Sequence, residues 1–567
     1  MLISQGCSPT LSKIYSSRGI SDVRELNSTF SEMLTFTGLL NIESVAKFLC
    51  TAIKCQKTIL IIADFDADGA TACAVAIRGL RQFGAKVDYI VPNRFEYGYG
   101  LSPEIVSLAA QSDPDILITV DNGIASVEGV ALANRLGMQV VITDHHLPGE
   151  VLPDATFIVN PNQCGCKFSS KNLAGVGVIF YVLLALRAEM RAQGHYINQP
   201  ETNLANLLDL VALGTIADVV KLDQNNRILV KQGLARIKSG RTCAGIRALI
   251  TVAKKEISTL STQDLGFSLG PRLNAAGRLR DMRLGIECLL TDDIRKAHEI
   301  AQELDKLNRE RRTIESDMRE SALRLLGDLE ATDMYDLATL SKRNIGSNIT
   351  LYSVTMFNSS WHQGVIGILA SRIKDKFHRP TIMFADSGNG ELKGSGRSIA
   401  GFHLRDALDL VSKRHPKLIR TFGGHAAAAG LTICRNSLNE FVAAFEQVAS
   451  EQLSEVDLSM RVETDGEVDC ADLTMEFADQ LNEEVWGQGF PPPLFHATFD
   501  VVSQRVVGEK HLKLRLGMHG AVHDAILFGY DQLLPTQVNA AYSLSINEYN
   551  GNRNLQLIVR HWEQLRG

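Results

Sequence analysis

The chain has 567 residues, 45% of them hydrophobic and 22% charged, with a formal net charge of −6. Such a length exceeds one hydrophobic core and predicts roughly three or four domains, and the composition excludes general disorder. The acidic balance excludes a global positive field, so any affinity for nucleic acid has to come from local basic grooves.

Residues 1–45 offer no physical argument for a role. They show no export signal, and no apolar run in the chain approaches the roughly 20 residues needed to span a bilayer, so neither export nor membrane insertion is expected. From about residue 46, short apolar runs at 58–62, 116–120 and 140–143 alternate with amphipathic segments, the pattern of a parallel sheet covered by helices. Ten scattered cysteines fit a reduced, cytoplasmic setting. Cys164-Gly165-Cys166 has no second pair at zinc-ligand spacing and reads as loop cysteines.

From residue 293 a long charged helix is expected, with Ala297, Ile300, Leu304, Leu307, Ile314, Met318 and Leu325 as one apolar stripe. Its position between two α/β regions favours a connector. The second region has a strand near 351–357, a helix near 365–377 and a strand at 381–384. After about residue 453 alternation dominates, at Leu512/Leu514/Leu516, Tyr542/Leu544/Ile546 and Leu555/Leu557/Val559, with a hairpin signal at Asn550-Gly551. The expected fold class is α/β: a segment 1–45, a catalytic α/β domain 46–292, a connecting helix 293–335, a second α/β domain 336–452, and a C-terminal β-barrel of oligonucleotide-binding (OB) type at 453–567.

Each of the three apolar runs is followed at once by acids: Asp64, Asp66 and Asp68, then Asp121-Asn122-Gly123, then Asp144-His145-His146. In parallel α/β sheets ligands bind beyond the carboxyl ends of strands, so these groups converge. A single Asp there reads as a helix cap. Three such places read as a metal centre, because clustered carboxylates cannot all stay ionised without cations. Oxygen donors with one or two imidazoles suit manganese or magnesium better than structural zinc. Asp218 ends another apolar segment and, alone, reads as a solvated acid. Arg272, Asn274 and Arg278 lie in a glycine-flanked loop where a guanidinium fork could grip phosphate or simply face solvent.

The motifs Asp66-x-Asp68-Gly69, Asp121-Asn122-Gly123 and Asp144-His145-His146, in this order, resemble the DHH phosphoesterase superfamily. Together with Gly423-Gly424-His425-Ala-Ala-Ala-Ala-Gly430 they resemble its DHH plus DHHA1 architecture. The stretches Asp64-Phe-Asp-Ala-Asp-Gly-Ala-Thr71, Gly270-Pro-Arg-Leu-Asn-Ala-Ala-Gly-Arg278 and Gly394-Ser-Gly-Arg397 narrow the likeness to the RecJ family of 5′→3′ single-strand exonucleases. The resemblance covers nearly the whole chain from about residue 45.

The resemblance implies two ions, Mn2+ or Mg2+. Asp68, Asp121, His145 and Asp218 would hold one; Asp66 and Asp121, helped by Asp64, would hold the other; His146 would face the scissile phosphate. Asn274 and Arg278 are the implied phosphate contacts, Ser395 and Arg397 with Arg94 the implied 5′-phosphate site. Tyr99 either stacks on a base or only packs, and Gly424 and His425 either admit a phosphate to the backbone or only pack closely. One departure stands out: many superfamily members carry a histidine where this chain has Ile62, so the first metal is expected to bind more weakly or to lean on Asp64. The implied substrate is single-stranded DNA, cleaved to 5′-mononucleotides in repair and recombination. A single-strand-binding protein and a RecQ-type helicase are the implied partners. Strand selectivity is expected from a basic passage between the α/β regions and from Lys510, Lys513, Arg515 and Arg553 of the barrel. Two other functions compete: hydrolysis of short oligonucleotides, cyclic dinucleotides or pyrophosphate, disfavoured by the extra β domain, and a non-catalytic strand-binding scaffold, disfavoured by the intact acids and His145.

Overall fold

A computed structural model describes residues 2–93, 100–327, 348–349, 352–508, 510–549 and 552–565. The first sheet is wholly parallel, in the order β2-β1-β3-β4-β5, with β1 Thr58–Ala63, β2 Lys86–Ile90, β3 Ile116–Val120, β4 Gln139–Thr143 and β5 Phe157–Val159. Apart from their first residues, β1 and β4 are buried throughout, as is all of β3. Helices cover both faces, which is why these runs are continuously aliphatic rather than alternating. The parallel order leaves β1, β3 and β4 ending on one edge, and Asp64, Asp121 and Asp144 follow there.

The chain forms two compact units, one of residues 1–305 with 462–567 and one of residues 306–461. The helix Ile294–Gly327 runs from one into the other. Of its expected stripe, Ala297, Ile300, Leu304, Leu307 and Met318 are buried, but Leu325 is 41% exposed and Leu326 takes the inward position. Over so many turns the 3.6-residue period drifts away from a strict seven-residue repeat.

In the second unit a mixed sheet runs β10-β11-β9-β8-β7-β6. Its strands are β6 Asn348–Ile349, β7 Val354–Phe357, β8 Thr381–Gly388, β9 Glu391–Arg397, β10 Ile419–Gly424 and β11 Ala428–Cys434. Phe384 meets Phe441 edge to face at 5.4 Å between ring centroids, in a core completed by Ile382, Leu431 and Phe445. The C-terminal strands β12 Phe495–Val507, β13 His511–Met518, β14 Ala521–Phe528, β15 Gln537–Tyr549 and β16 Asn552–Gln564 close into a barrel. Leu512, Leu514 and Leu516 point inward between Lys513 and Arg515, as their alternation requires. Asn550-Gly551 lies outside the described residues; the flanking strands pair Tyr549 with Asn552. Arg553 is tied to Asp479 at 2.7 Å, so its charge is already matched.

The N-terminal segment acquires a structural role that its sequence did not announce. Arg18 makes a two-pronged ion pair with Asp465, at 2.7 and 3.1 Å, and donates from Nε to the Pro491 carbonyl at 2.7 Å. Both charged side chains are almost fully buried, at 5% and 10% exposed. Tyr15 stacks on Trp486 and Phe490 beside them, and Arg227 of the catalytic domain lies over the Phe490 ring. The barrel's lead-in is thus pinned between the N-terminus and the α/β domain. Arg18→Ala strands a buried carboxylate, a change that costs about 3–5 kcal/mol in such pairs. The expected outcome is a melting temperature several degrees lower, followed by Trp fluorescence; an unchanged melting curve would show that the pair holds nothing together.

Candidate metal centre

Asp66 is the N-cap of the helix Ala67–Gln82, and its Oδ1 accepts from the amides of Asp68 and Gly69 at 2.9 and 3.0 Å. The capping role and the acidic cluster therefore coexist in one residue. Asp68, in the first turn of that helix, is 1% exposed. Its carboxylate accepts from the amides of Gly175 at 2.6 Å and Val176 at 2.9 Å, where the helix Gly175–Ala192 begins. A Cβ at position 175 would collide with the Asp121 side chain, so only glycine lets this helix start approach both acids.

Asp121 follows β3 with φ 63°, a left-handed conformation that Asp tolerates better than most residues, and its amide donates to the Thr143 carbonyl. Asn122 donates from Nδ2 to the carbonyls of Ile62 and Val120, tying the ends of β1 and β3 together. His145 Nε2 stands 3.1 Å from Asp121 Oδ1 and 3.5 Å from Asp218 Oδ2. Three sets of side chains have ligand atoms within 4.8 Å of one another: Asp68, His145 and Asp218; Asp64, Asp66 and Asp121; and Asp121, His145 and His146. The expected ligands thus converge, with Asp121 positioned between the two groups. Ile62 is fully buried, while Asp64 reaches the second set.

Electrostatics tests whether cations fit. Burial, then Asp66, raises the Asp68 carboxyl to about 7. Burial, then Asp68 and the other acids, raises Asp121 and Asp218 well above the usual carboxylate range. A cluster of hard oxygen donors that repel one another when ionised, with an imidazole at its edge, is the donor set of Mn2+ or Mg2+.

Asp144 plays a part to which the sequence assigned no ligand. Its Oδ1 accepts from the amides of His145 and His146 and contacts His146 Nδ1 at 2.7 Å, while Oδ2 accepts from the Ile124 amide. Burial raises this carboxyl, but the hydrogen bond and charge of His146 pull it below its ordinary value. Burial lowers the His146 imidazolium, and Asp144 more than offsets that, raising it to about 9. The first letter of the Asp-His-His motif was the available signal: an acid one or two residues from two histidines is placed to orient them.

The segment read as a glycine-flanked loop is a helix, Gly270–Leu279, with Pro271 in its first turn, where the missing N–H costs nothing. Arg272 is buried against Asp305, at 2.9 Å, and holds the fold rather than a phosphate. Asn274 Oδ1 accepts from the Ala67 amide at 2.8 Å, so it anchors the start of the metal-ligand helix. Arg278 lies in the last turn. Gly277 lets this helix lie against the Phe65 carbonyl, which a Cβ would strike.

In the second unit, Ser395 and Arg397 lie on β9, and the register sets them beside Gly430 and Ala428 of β11. Arg397 Nη1 donates to the Gly396 carbonyl at 2.8 Å and lies 3.3 Å from Ser395 Oγ, and burial lowers its pKa. Gly367, in the first turn of the helix Ile366–Phe377, would meet both side chains if it carried a Cβ, so the pair packs against the start of this helix. Gly424 at φ 141° and His425, whose amide donates to the Ala428 carbonyl, form the adjoining hairpin end rather than a helix contact. Arg94 and Tyr99 lie outside the described residues.

Comparison with known proteins matches this geometry. Residues 58–215 match the DHH family N-terminal domain, 348–451 the DHHA1 domain and 464–561 the RecJ OB domain. The chain is 48% identical to the single-stranded-DNA-specific exonuclease RecJ of Dickeya dadantii, over 97% of this chain and 95% of that protein. It is 46% identical to the Escherichia coli protein of the same description, over 97% and 95%. The crystal structure of Thermus thermophilus RecJ in complex with Mn2+ is similar with a TM-score of 0.80, at 28% identity, covering 99% of this chain and 76% of that one. Three matched domains in the same order, around an acid cluster of this composition, make the chain a member of the RecJ family of single-stranded-DNA-specific exonucleases.

Proposed function

We propose that the chain degrades single-stranded DNA from its 5′ end to 5′-mononucleotides, in the cytoplasm, as part of DNA repair and recombination. The observation that carries this reading is the convergence of Asp64, Asp66, Asp68, Asp121, His145 and Asp218 into two ligand sets, linked by a third in which Asp121 and His145 come together with His146. Asp68, Asp121, His145 and Asp218 hold one divalent ion; Asp64, Asp66 and Asp121 hold the other. When bound, Mn2+ or Mg2+ at such a pair supplies Lewis-acid activation of water and neutralises charge on the attacking and leaving oxygens.

The chain's own groups do the rest. Asp144 holds Nδ1 of His146, so Nε2 addresses a non-bridging oxygen of the scissile phosphate, and the raised pKa keeps the ring cationic there. Asn274 fixes the amide end of the helix that carries Asp68. Arg278 adds a guanidinium for the phosphate, and Ser395 and Arg397, packed against Gly367, take the terminal 5′-phosphate. Barrel residues Lys513 and Arg515 follow the phosphate backbone of the unstacked strand.

With manganese, release of a 5′ label from single strands is expected to precede any release of a 3′ label, with duplex spared. Asp121→Ala should cut the rate by at least about a thousandfold, the scale of losing a central member of a catalytic group. Release first from the 3′ end, or equal cleavage of duplex, would contradict the reading. A second test isolates Asp144. Asp144→Asn removes the charge that raises His146, so the imidazolium loses its proton at lower pH; the alkaline limb of the kcat profile should move down and the rate fall by about 10- to 100-fold. An unshifted limb would show that His146 does not act as a cation.

A further inference from the structure

Beside Asp218, within the unit formed by the catalytic domain and the barrel, lies a cavity of about 690 Å³. Residues 215–217 and 219–220 bound one side, and Trp486, Pro492 and Arg560 bound the other. A second cavity of about 630 Å³ shares Gln263, Trp486, Pro492 and Arg560 with the first and continues along Ser543 to Ser545 of β15. Together they make a groove that leads from the flank of a metal ligand onto the barrel.

Two residues of this groove turn apolar side chains to solvent. Phe267, on its wall, is 77% exposed. It sits in the middle of a π-helical turn, Leu265–Leu269, whose extra residue keeps Leu265 and Leu269 fully buried and turns the aromatic ring outward. Val219, next to Asp218, has φ 63° and is 61% exposed. A β-branched side chain in the left-handed region is strained; this one comes just after the end of the helix Leu208–Ala217, where its amide donates to the Ile216 carbonyl. A bare aromatic ring, a π-turn and a strained valine thus adjoin one metal ligand.

The charges define the occupant. Lys255 and Arg560 line the same cavity as the ring; Lys255 is paired with Asp264 at 2.8 Å, and Arg560 Nε lies 3.3 Å from Ser543 Oγ of β15, while Asp465 in the second cavity is matched by Arg18. An exposed aromatic ring in a cavity that Lys255 and Arg560 also line suits a polymer that alternates flat bases with anionic phosphates, and the cavity wall includes Ala217 and Val219, the chain neighbours of Asp218. We propose that it takes the DNA strand on the 3′ side of the cleaved bond, with one base stacked on Phe267 and the adjoining phosphates at Lys255 and Arg560. This rests on the reading of the chain as a single-strand exonuclease and adds a substrate-positioning residue to it.

The test compares the full-length wild type, Phe267→Ala and Phe267→Trp, with manganese, on a 5′-phosphorylated dinucleotide and on a single strand. For Phe267→Ala, KM for a strand of about 20 nucleotides should rise roughly 5- to 100-fold, the range of one base stack, with kcat and dinucleotide hydrolysis within about twofold of wild type. Phe267→Trp should restore KM. In Asp121→Ala protein, 2-aminopurine at one position near the 5′ end should be quenched, and the quenching should vanish when Phe267→Ala is added. An unchanged KM, an equal loss on both substrates, or no rescue by tryptophan would overturn the groove assignment. A wild type that hydrolyses no single strand would instead overturn the exonuclease reading beneath it.

Discussion

Repulsion among buried carboxylates is the constraint on which the rest of the catalytic unit depends. Asp68 and Asp121 are almost wholly inaccessible, and Asp218 is closely confined with them. Burial and mutual charge hold all three above their ordinary protonation range. Keeping such groups within ligand distance requires compensation from every side. The amides of Gly175 and Val176 address Asp68, those of Asp68 and Gly69 address Asp66, and the ends of β1 and β3 are laced by Asn122. These donors partly offset the repulsion, and divalent cations offset what remains. Parallel β-structure suits this arrangement because it delivers several strand ends to one edge, and β1 is followed there by the helix start at Ala67.

The barrel is part of that unit rather than an appendage. Its lead-in, from Trp486 to Leu494, is gripped by Arg18, Tyr15 and Arg227, and the Leu222 amide donates to the Gln488 carbonyl at 2.8 Å. Leu222 follows Asp218 by four residues. A segment that carries a metal ligand is therefore bonded to the barrel's approach, and the groove beside Phe267 lies over this junction. Trp486 belongs both to the stack with Tyr15 and to the wall of the groove, so a substitution that loosens the N-terminal clamp also loosens that wall.

The layout of this site was legible because strand ends announce themselves. Three aliphatic runs, each followed by acids, fix which side chains share an edge, and the barrel's alternating leucines fix their own inward face. What was not legible depends on partners far away in sequence. Arg272 reads as either a phosphate grip or a solvent-facing side chain until Asp305 is seen to hold it, and nothing local announces that the Asn274 oxygen accepts from the Ala67 amide. The helix Gly270–Leu279 reads as a loop because Gly270, Pro271 and Gly277 are turn residues in isolation. In place, Pro271 occupies a first turn and Gly277 provides a close approach to Phe65. The N-terminal clamp carries no local pattern at all, since Arg18 and Asp465 are 447 residues apart.

Ile62, where the resemblance would place a histidine, is a core residue here. In β1 it is paired between Ile90 of β2 and Thr119 of β3, and its carbonyl accepts from Asn122. The backbone at this position is thus fixed by the sheet whatever side chain it bears. The isoleucine joins Leu60, Leu101, Leu117 and Ile142 in the core on one face of the sheet, a dry setting in which an imidazole would pay a desolvation cost unless a metal or hydrogen bond met it. Asp64 lies two residues on, and side chains two apart along an extended strand point to the same side. Its carboxylate joins Asp66 and Asp121 with ligand atoms within 4.8 Å. The same side of the chain thereby offers an oxygen donor just beyond the sheet, where the neighbouring acids already require a cation, while the position inside the sheet contributes packing.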